Sequence, residues 1–151
     1  MRFYKALVAV ALGAPAAANA QGDPPQLPAL TPFEQTMAGL LDETRTGQQL
    51  PAVAVSPKLS RGCRAYARKM IAKNRWAHSA RNRRGGSRVG EILAVMPGKP
   101  GSDSVILQSW MNSPTHRKVI TNPIYHRMGI ASAYGRFRGR KQTVWVVRFA
   151  P

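Results

Sequence analysis

Two imidazoles and a carboxylate carry the most chemistry in this chain: His78, Glu91 and His116, separated by 13 and 25 residues. Neutral imidazole nitrogens and a carboxylate oxygen are good zinc ligands. Three such ligands plus a water make an open site that polarises a carbonyl or phosphoryl oxygen and supplies a nucleophile. The chemistry would be metal-assisted hydrolysis of a phosphodiester or peptide bond, with Glu91 as a ligand and the bound water attacking. The spacings match no local metal motif, so only the fold can bring the three together, and each alone reads as a surface or hydrogen-bonded residue. Glu91 is the single carboxylate between Glu43 and Asp103. Among many cations it should stay ionised well below neutrality. That makes it a poor general acid and a good loop anchor, accepting hydrogen bonds from a protonated histidine or from backbone donors. His126, in Asn122-Pro123-Ile124-Tyr125-His126, has no comparable context and reads as a surface residue. Cys63, the one cysteine, excludes an intrachain disulfide framework and a multi-thiolate zinc site. It falls on an apolar helical stripe and reads as a buried thiol rather than a nucleophile.

The second chemical signal is charge. The 151 residues hold 23 Lys+Arg against 6 Asp+Glu, a formal net charge of +17. Twelve basic residues and no acid lie between Glu43 and Glu91, and eight more follow Asp103 unopposed. Arg61, Arg64 and Arg68 stand three and four apart on a predicted helix, where each like-charge pair costs roughly 0.2–0.5 kcal/mol unless something anionic intervenes. With Arg81, Arg83, Arg84 and Arg88 they form the candidate anion-binding set. Partners of suitable chemistry are lipopolysaccharide phosphates, teichoic acid, glycosaminoglycan or a nucleic-acid backbone. A solvated basic surface with no partner fits the same pattern. Base-specific reading of DNA is disfavoured: no reader motif is present, and the aromatics, 7% of residues, sit on predicted apolar faces rather than among the arginines.

The elements that must position these residues follow from pattern. Thr31 with Glu34 makes a capping box for a helix carrying Phe33, Met37, Leu40 and Leu41, expected to end near Gly47. Ser56-Pro57 starts a second helix with Leu59, Cys63, Tyr66, Ala67, Met70 and Ile71 at helical steps. Gly62 costs that helix about 1 kcal/mol relative to Ala, which suits close packing of a neighbour. His78 to Gly90 reads as a loop leading into Gly90–Ala94, followed by a loop over Met96–Gly101. Ser102 then caps a third helix with Val105, Ile106, Ser109 and Trp110 inward, and Ser113-Pro114 starts a short fourth. Met128–Ala133 and Thr143–Phe149 read as strands around a basic Gly-rich turn, Gly135–Gly139, the second strand having one face more deeply buried. The expected class is α+β, helices against a small antiparallel sheet.

Residues 1–20 place Arg2 and Lys5 before an apolar run that ends in Ala18-Asn19-Ala20, the pattern of an export signal cleaved near Ala20. Its apolar run falls short of the roughly 20 residues a spanning helix needs. Without it the chain keeps a charge of +15. Residues 21–32, with four prolines, read as an extended linker, and residues 33–151 as one domain. A periplasmic or secreted monomer without an integral membrane span is expected.

The order of landmarks carries a resemblance: Leu41-Asp42-Glu43, the Ala65-Tyr66-Ala67-Arg68-Lys69-Met70 run, Trp76-Ala77-His78, Gly90-Glu91-Ile92, Trp110-Met111-Asn112-Ser113-Pro114-Thr115-His116-Arg117, Met128-Gly129-Ile130 and the closing Val144–Phe149 strand. Over about Pro32 to Ala150 the chain resembles the CAP superfamily (cysteine-rich secretory proteins, antigen 5 and pathogenesis-related class 1 proteins; the SCP domain), in its compact bacterial branch. The resemblance implies a three-layer α-β-α sandwich and a cleft where two histidines and two glutamates meet, binding a divalent metal, zinc above all, in some members. His78, Glu91 and His116 match three of those positions. The second glutamate is replaced by Ser113, and the asparagine after the first by Ile92. Two classes of function follow. One is a non-catalytic binding module whose cleft and basic surface engage an anionic envelope or extracellular ligand, the favoured reading. The other is a metal-assisted hydrolase using His78, Glu91 and His116. Lipid binding, borrowed from other members, is a third.

Overall fold

The capping box forms as its spacing predicts: Glu34 N–H donates to the Thr31 hydroxyl, and Thr31 N–H donates to Glu34 Oε2 at 2.9 Å. The computed structural model describes residues 29–80, 88–101 and 103–151; the segment read as an export signal and most of the segment read as a linker lie outside them. The linker's last residue, Pro32, is the first of helix α1 (Pro32–Thr46). The buried stripe of α1 differs from expectation. Phe33 is 44% exposed, while Glu34, Met37, Ala38, Leu41 and Arg45 face inward. Two charged residues hold interior places because each finds partners there. Arg45, wholly buried, donates to the carbonyls of Pro51, Ile120, Asn122 and Tyr125. Glu34 accepts from Arg64 at 2.8 Å and from the Ser132 N–H at 2.7 Å.

Helix α2 (Pro57–Ala72) starts at the Ser56 cap, and buries Ser60, Cys63, Ala67 and Met70. The sheet has order β1-β3-β4-β2. Strands β2 (Gly90–Pro97), β3 (Arg127–Phe137) and β4 (Arg140–Ala150) are antiparallel, and only β1 (Ala54–Val55) runs parallel to its neighbour β3. Helices α3 (Asp103–Asn112) and α4 (Pro114–Ile120) complete the described elements. One sheet face, with Leu93, Ala131, Val144 and Val146, packs on Cys63, Ala67 and Met70 of α2. The opposite face, with Ile92, Ile130, Trp145, Val147 and Phe149, packs on Met37 and Leu41 of α1 and on Ile106 and Trp110 of α3. This is an α+β fold in three layers, α-β-α.

That layering accounts for the differences in the second half. Helices cover both sheet faces, so Val144 to Val147 are all fully buried, and the shallower face expected of this strand is marked by Arg148 alone. A strand buried on both sides loses its alternation, which is why Gly90–Pro97 shows none. The hairpin turn is also tighter than expected: Arg138 and Gly139, with φ of 50° and 78°, form a two-residue turn in which both residues are left-handed. Helix α3 buries Asp103, Ile106 and Trp110 but leaves Val105 and Ser109 exposed. Open sheet edges are closed by side chains. Ser60 Oγ accepts from Ile130 N–H, Glu34 from Ser132 N–H, and Trp110 Nε1 donates to Leu93 O. Gly129 permits the close approach of α2, since a Cβ there would lie 2.3 Å from Leu59 Cβ. No helix among the described residues is long and apolar enough to cross a membrane.

Candidate functional site

Strand register builds the centre of the site. Glu91 on β2 stands directly opposite Arg148 on β4, so both side chains leave the same sheet face, the one under α2. Arg148 Nε donates to Glu91 Oε2 at 2.9 Å. The other carboxylate oxygen, Oε1, accepts the Ser79 N–H at 2.8 Å and meets His78 Nδ1 at 3.0 Å. A carboxylate only accepts, so Nδ1 carries the proton and Nε2 is the nitrogen turned outward. Glu91 thus anchors the segment before the undescribed part of the loop. Tyr66 holds the same segment from α2, its hydroxyl donating to Ala77 O at 2.7 Å. The Arg148 guanidinium lies 5.3 Å over the Tyr66 ring. Gly62 makes room for it: a Cβ there would be 3.1 Å from Arg148 Nη1.

The Glu91 side chain is 1% exposed. Burial alone would push its pKa up, but the Ser79 N–H and the Arg148 guanidinium more than offset this and hold it below the ordinary carboxylate value. His116, on α4, has its pKa lowered first by burial and then by the charge of His78. It lines a cavity of about 310 Å³ with Trp76, Leu93, Met96, Trp110 and Arg138. Ser113, in place of a second glutamate, takes the N-cap conformation of α4 without a side-chain cap bond. Cys63 is fully buried, and desolvation pushes its thiol up to about 12, out of range for a nucleophile.

The donor set can be weighed against a metal. Glu91 is sealed in, with one oxygen receiving two hydrogen bonds and the other the guanidinium. Among the described residues no three His, Cys, Asp or Glu side chains converge closely enough to hold an ion. Both Glu91 oxygens are thus engaged within the protein, and His78 and His116 are the remaining candidate donors.

The basic residues divide. Arg61, Arg68 and Arg88 are exposed. Arg64 is turned inward onto Glu34, its side chain 16% exposed, so the anion that intervenes among the three helical arginines comes from α1 of the same chain. Arg81, Arg83 and Arg84 lie outside the described residues. His126 is exposed, as expected. Sequence reasoning missed Arg148 as the partner of Glu91. The signal was there, a guanidinium on the apolar face of Val144–Phe149, because a charge on a buried strand face needs a counter-charge. Trp76 and Arg138 beside the cavity carried no comparable signal.

Comparison with curated proteins found no match. Solved structures give a clear likeness of fold. An outer surface protein of Borrelia burgdorferi is 18% identical over 78% of this chain and 90% of its own, with a TM-score of 0.61. An extracellular SCP-domain protein of Bacillus anthracis is 20% identical with a TM-score of 0.61, over 81% of this chain and 44% of its own length. Venom allergen-like protein 4 of Schistosoma mansoni is 11% identical over 81% of this chain and 90% of its own, also at 0.61. The model of the cysteine-rich secretory protein family matches residues 39–149. With that match spanning most of its length and the α-β-α layers in place, the chain belongs to the cysteine-rich secretory protein family, the CAP superfamily.

Proposed function

We propose that the protein is an exported, non-catalytic binding module for an anionic ligand of the envelope or extracellular space. The observation that carries this reading is the way charge is sorted. The buried acids Glu34 and Glu91 draw Arg64 and Arg148 inward, and the remaining exposed arginines and lysines of residues 44–90 and 104–151 face solvent with no acid in either segment. A surface that repels itself is relieved by a polyanion. Export is supported by the pattern of residues 1–20 and by similarity to proteins described as outer-surface and extracellular. Glu91, kept ionised and hydrogen-bonded on both oxygens, serves in this reading as the anchor of the cleft rather than as an acid or a metal ligand.

The test is binding to immobilised heparin as a sulfated stand-in for the polyanion, together with metal analysis of the purified protein. Affinity should fall steeply and log-linearly as salt rises; a flat salt response rejects the reading. Stoichiometric zinc that is lost in His116→Ala, accompanied by hydrolysis that chelation abolishes, would replace it with the metal-assisted hydrolase.

A further inference from the structure

The carboxyl half of α2 and the tip of the β3–β4 hairpin form one end of the molecule. Arg138 N–H donates to Asn74 Oδ1 at 2.6 Å, pinning the turn to the residues just past the helix, and Phe137 packs 6.5 Å from Trp76. Two hollows flank α2 here. One, of about 130 Å³, has Tyr66, Met70 and Ala77 for its floor and Lys69, Lys73 and Arg75 for its rim. The other, of about 330 Å³, has Ile71, Ala72 and Tyr134 beside Arg68, with Lys141 Nζ 5.7 Å over the Tyr134 ring. Tyr134 is 43% exposed. Glu34 reaches Ser132 from beneath but is fully buried.

The end is built against its own electrostatics. Lys69 and Lys73 are one turn apart on the same helix face, and Arg136 stands directly opposite Lys141 across the hairpin. Like charges in either arrangement destabilise. All four are exposed, as are Arg138 and Arg140 in the turn. Phosphates arriving between them would turn repulsion into paired charge, and the arginine forks suit bidentate phosphate contacts.

Resting on the anion-binding reading above, we infer that this end docks on the phosphate headgroups of an anionic lipid layer. The two-dimensional layout favours a layer over a single polymer chain. Cations rim hollows on both flanks of α2 and continue onto the hairpin, whereas a linear polyanion needs a stripe. The apolar floors and the half-exposed Tyr134 ring suit headgroup depth, where an aromatic with a polar tip and long cationic side chains are at home.

Vesicle co-sedimentation tests this with the intact protein. Phosphatidylcholine vesicles containing phosphatidylglycerol should bind it, and pure phosphatidylcholine vesicles should not. Neutralising Lys73, Arg136 and Lys141 together to Gln should weaken binding roughly a hundredfold. The same change at Lys58, Lys118 and Arg127, exposed residues away from this end, should weaken it far less, with thermal melts confirming that both variants fold. Equal losses in the two variants overturn the assignment to this end. A Tyr134→Trp variant should shift its emission to the blue on anionic vesicles and not with heparin. Salt-sensitive heparin binding with no vesicle binding overturns the lipid inference and leaves the anion-binding reading standing. Failure of both probes removes both.

Discussion

Removing the Arg148 guanidinium would leave the Glu91 carboxylate sealed under α2 with one oxygen unpaired. Breaking a buried pair from one side costs about 3–5 kcal/mol; Arg148 is partly exposed, its side chain at 18%, so Arg148→Met should fall at the lower end in urea denaturation. The double variant Arg148→Met with Glu91→Gln should recover much of the loss, because no charge is then stranded. The same pair sets a pH dependence. The folded-state pKa of Glu91 lies below its ordinary 4.5, so its contribution is complete above that value and disappears as pH falls through the lower folded value. Wild type and Glu91→Gln should therefore converge in stability on acidification and diverge toward neutrality. The Arg64–Glu34 pair shares this logic of geometry: a buried acid, fixed by hydrogen bonds from its own helix cap and from β3, draws a helical arginine away from the surface.

At the scale of elements, the helix–sheet spacing rests on Gly129. Alanine there would place Cβ 2.3 Å from Leu59 Cβ and 2.6 Å from Ser60 N, so α2 must move and the Ser60 bond to the β3 edge must stretch. Gly129→Ala should cost about 1–3 kcal/mol. Gly39, exposed within α1 and with nothing within 4 Å of its added Cβ, should behave oppositely, Gly39→Ala gaining about 0.5–1 kcal/mol from helix propensity alone. Paired melts of the two variants check both signs. What the sequence made legible at this scale was whatever is local. Caps at Thr31 and Ser56, the stripe of α2 and the two terminal strands are set by neighbours within a few residues. Strand β2 was illegible because burial on both faces erases its period. The inward turn of Glu34 and Arg45 was illegible because their partners lie far along the chain. In the cleft, His78 and Glu91 meet as the family pattern implies. Arg148 showed in the sequence its need of a counter-charge, but register alone reveals that Glu91 supplies it.

For the molecule as a whole, a formal charge of +17 makes folding self-repulsive, and screening should relieve it. Raising ionic strength from about 0.01 M to about 0.15 M shortens the Debye length from about 30 Å to about 8 Å. The melting temperature should rise by a few degrees over that range in calorimetry, and further with added polyanion, which binds the native state. A melting temperature that fell with salt would mean that surface attraction outweighs repulsion. One consequence of the Glu34 geometry concerns the order of events along the chain. Glu34 finds its Ser132 partner 98 residues later, and Arg45 finds the carbonyls of Ile120 and Tyr125 only after 75 and 80 residues. As the polypeptide is delivered from its amino end, α1 emerges with two ionised groups whose distant partners come late, those of Arg45 just before the last hairpin and the Ser132 N–H for Glu34 within it. Sealing the first helix is therefore a late kinetic step, governed by long-range loop closure.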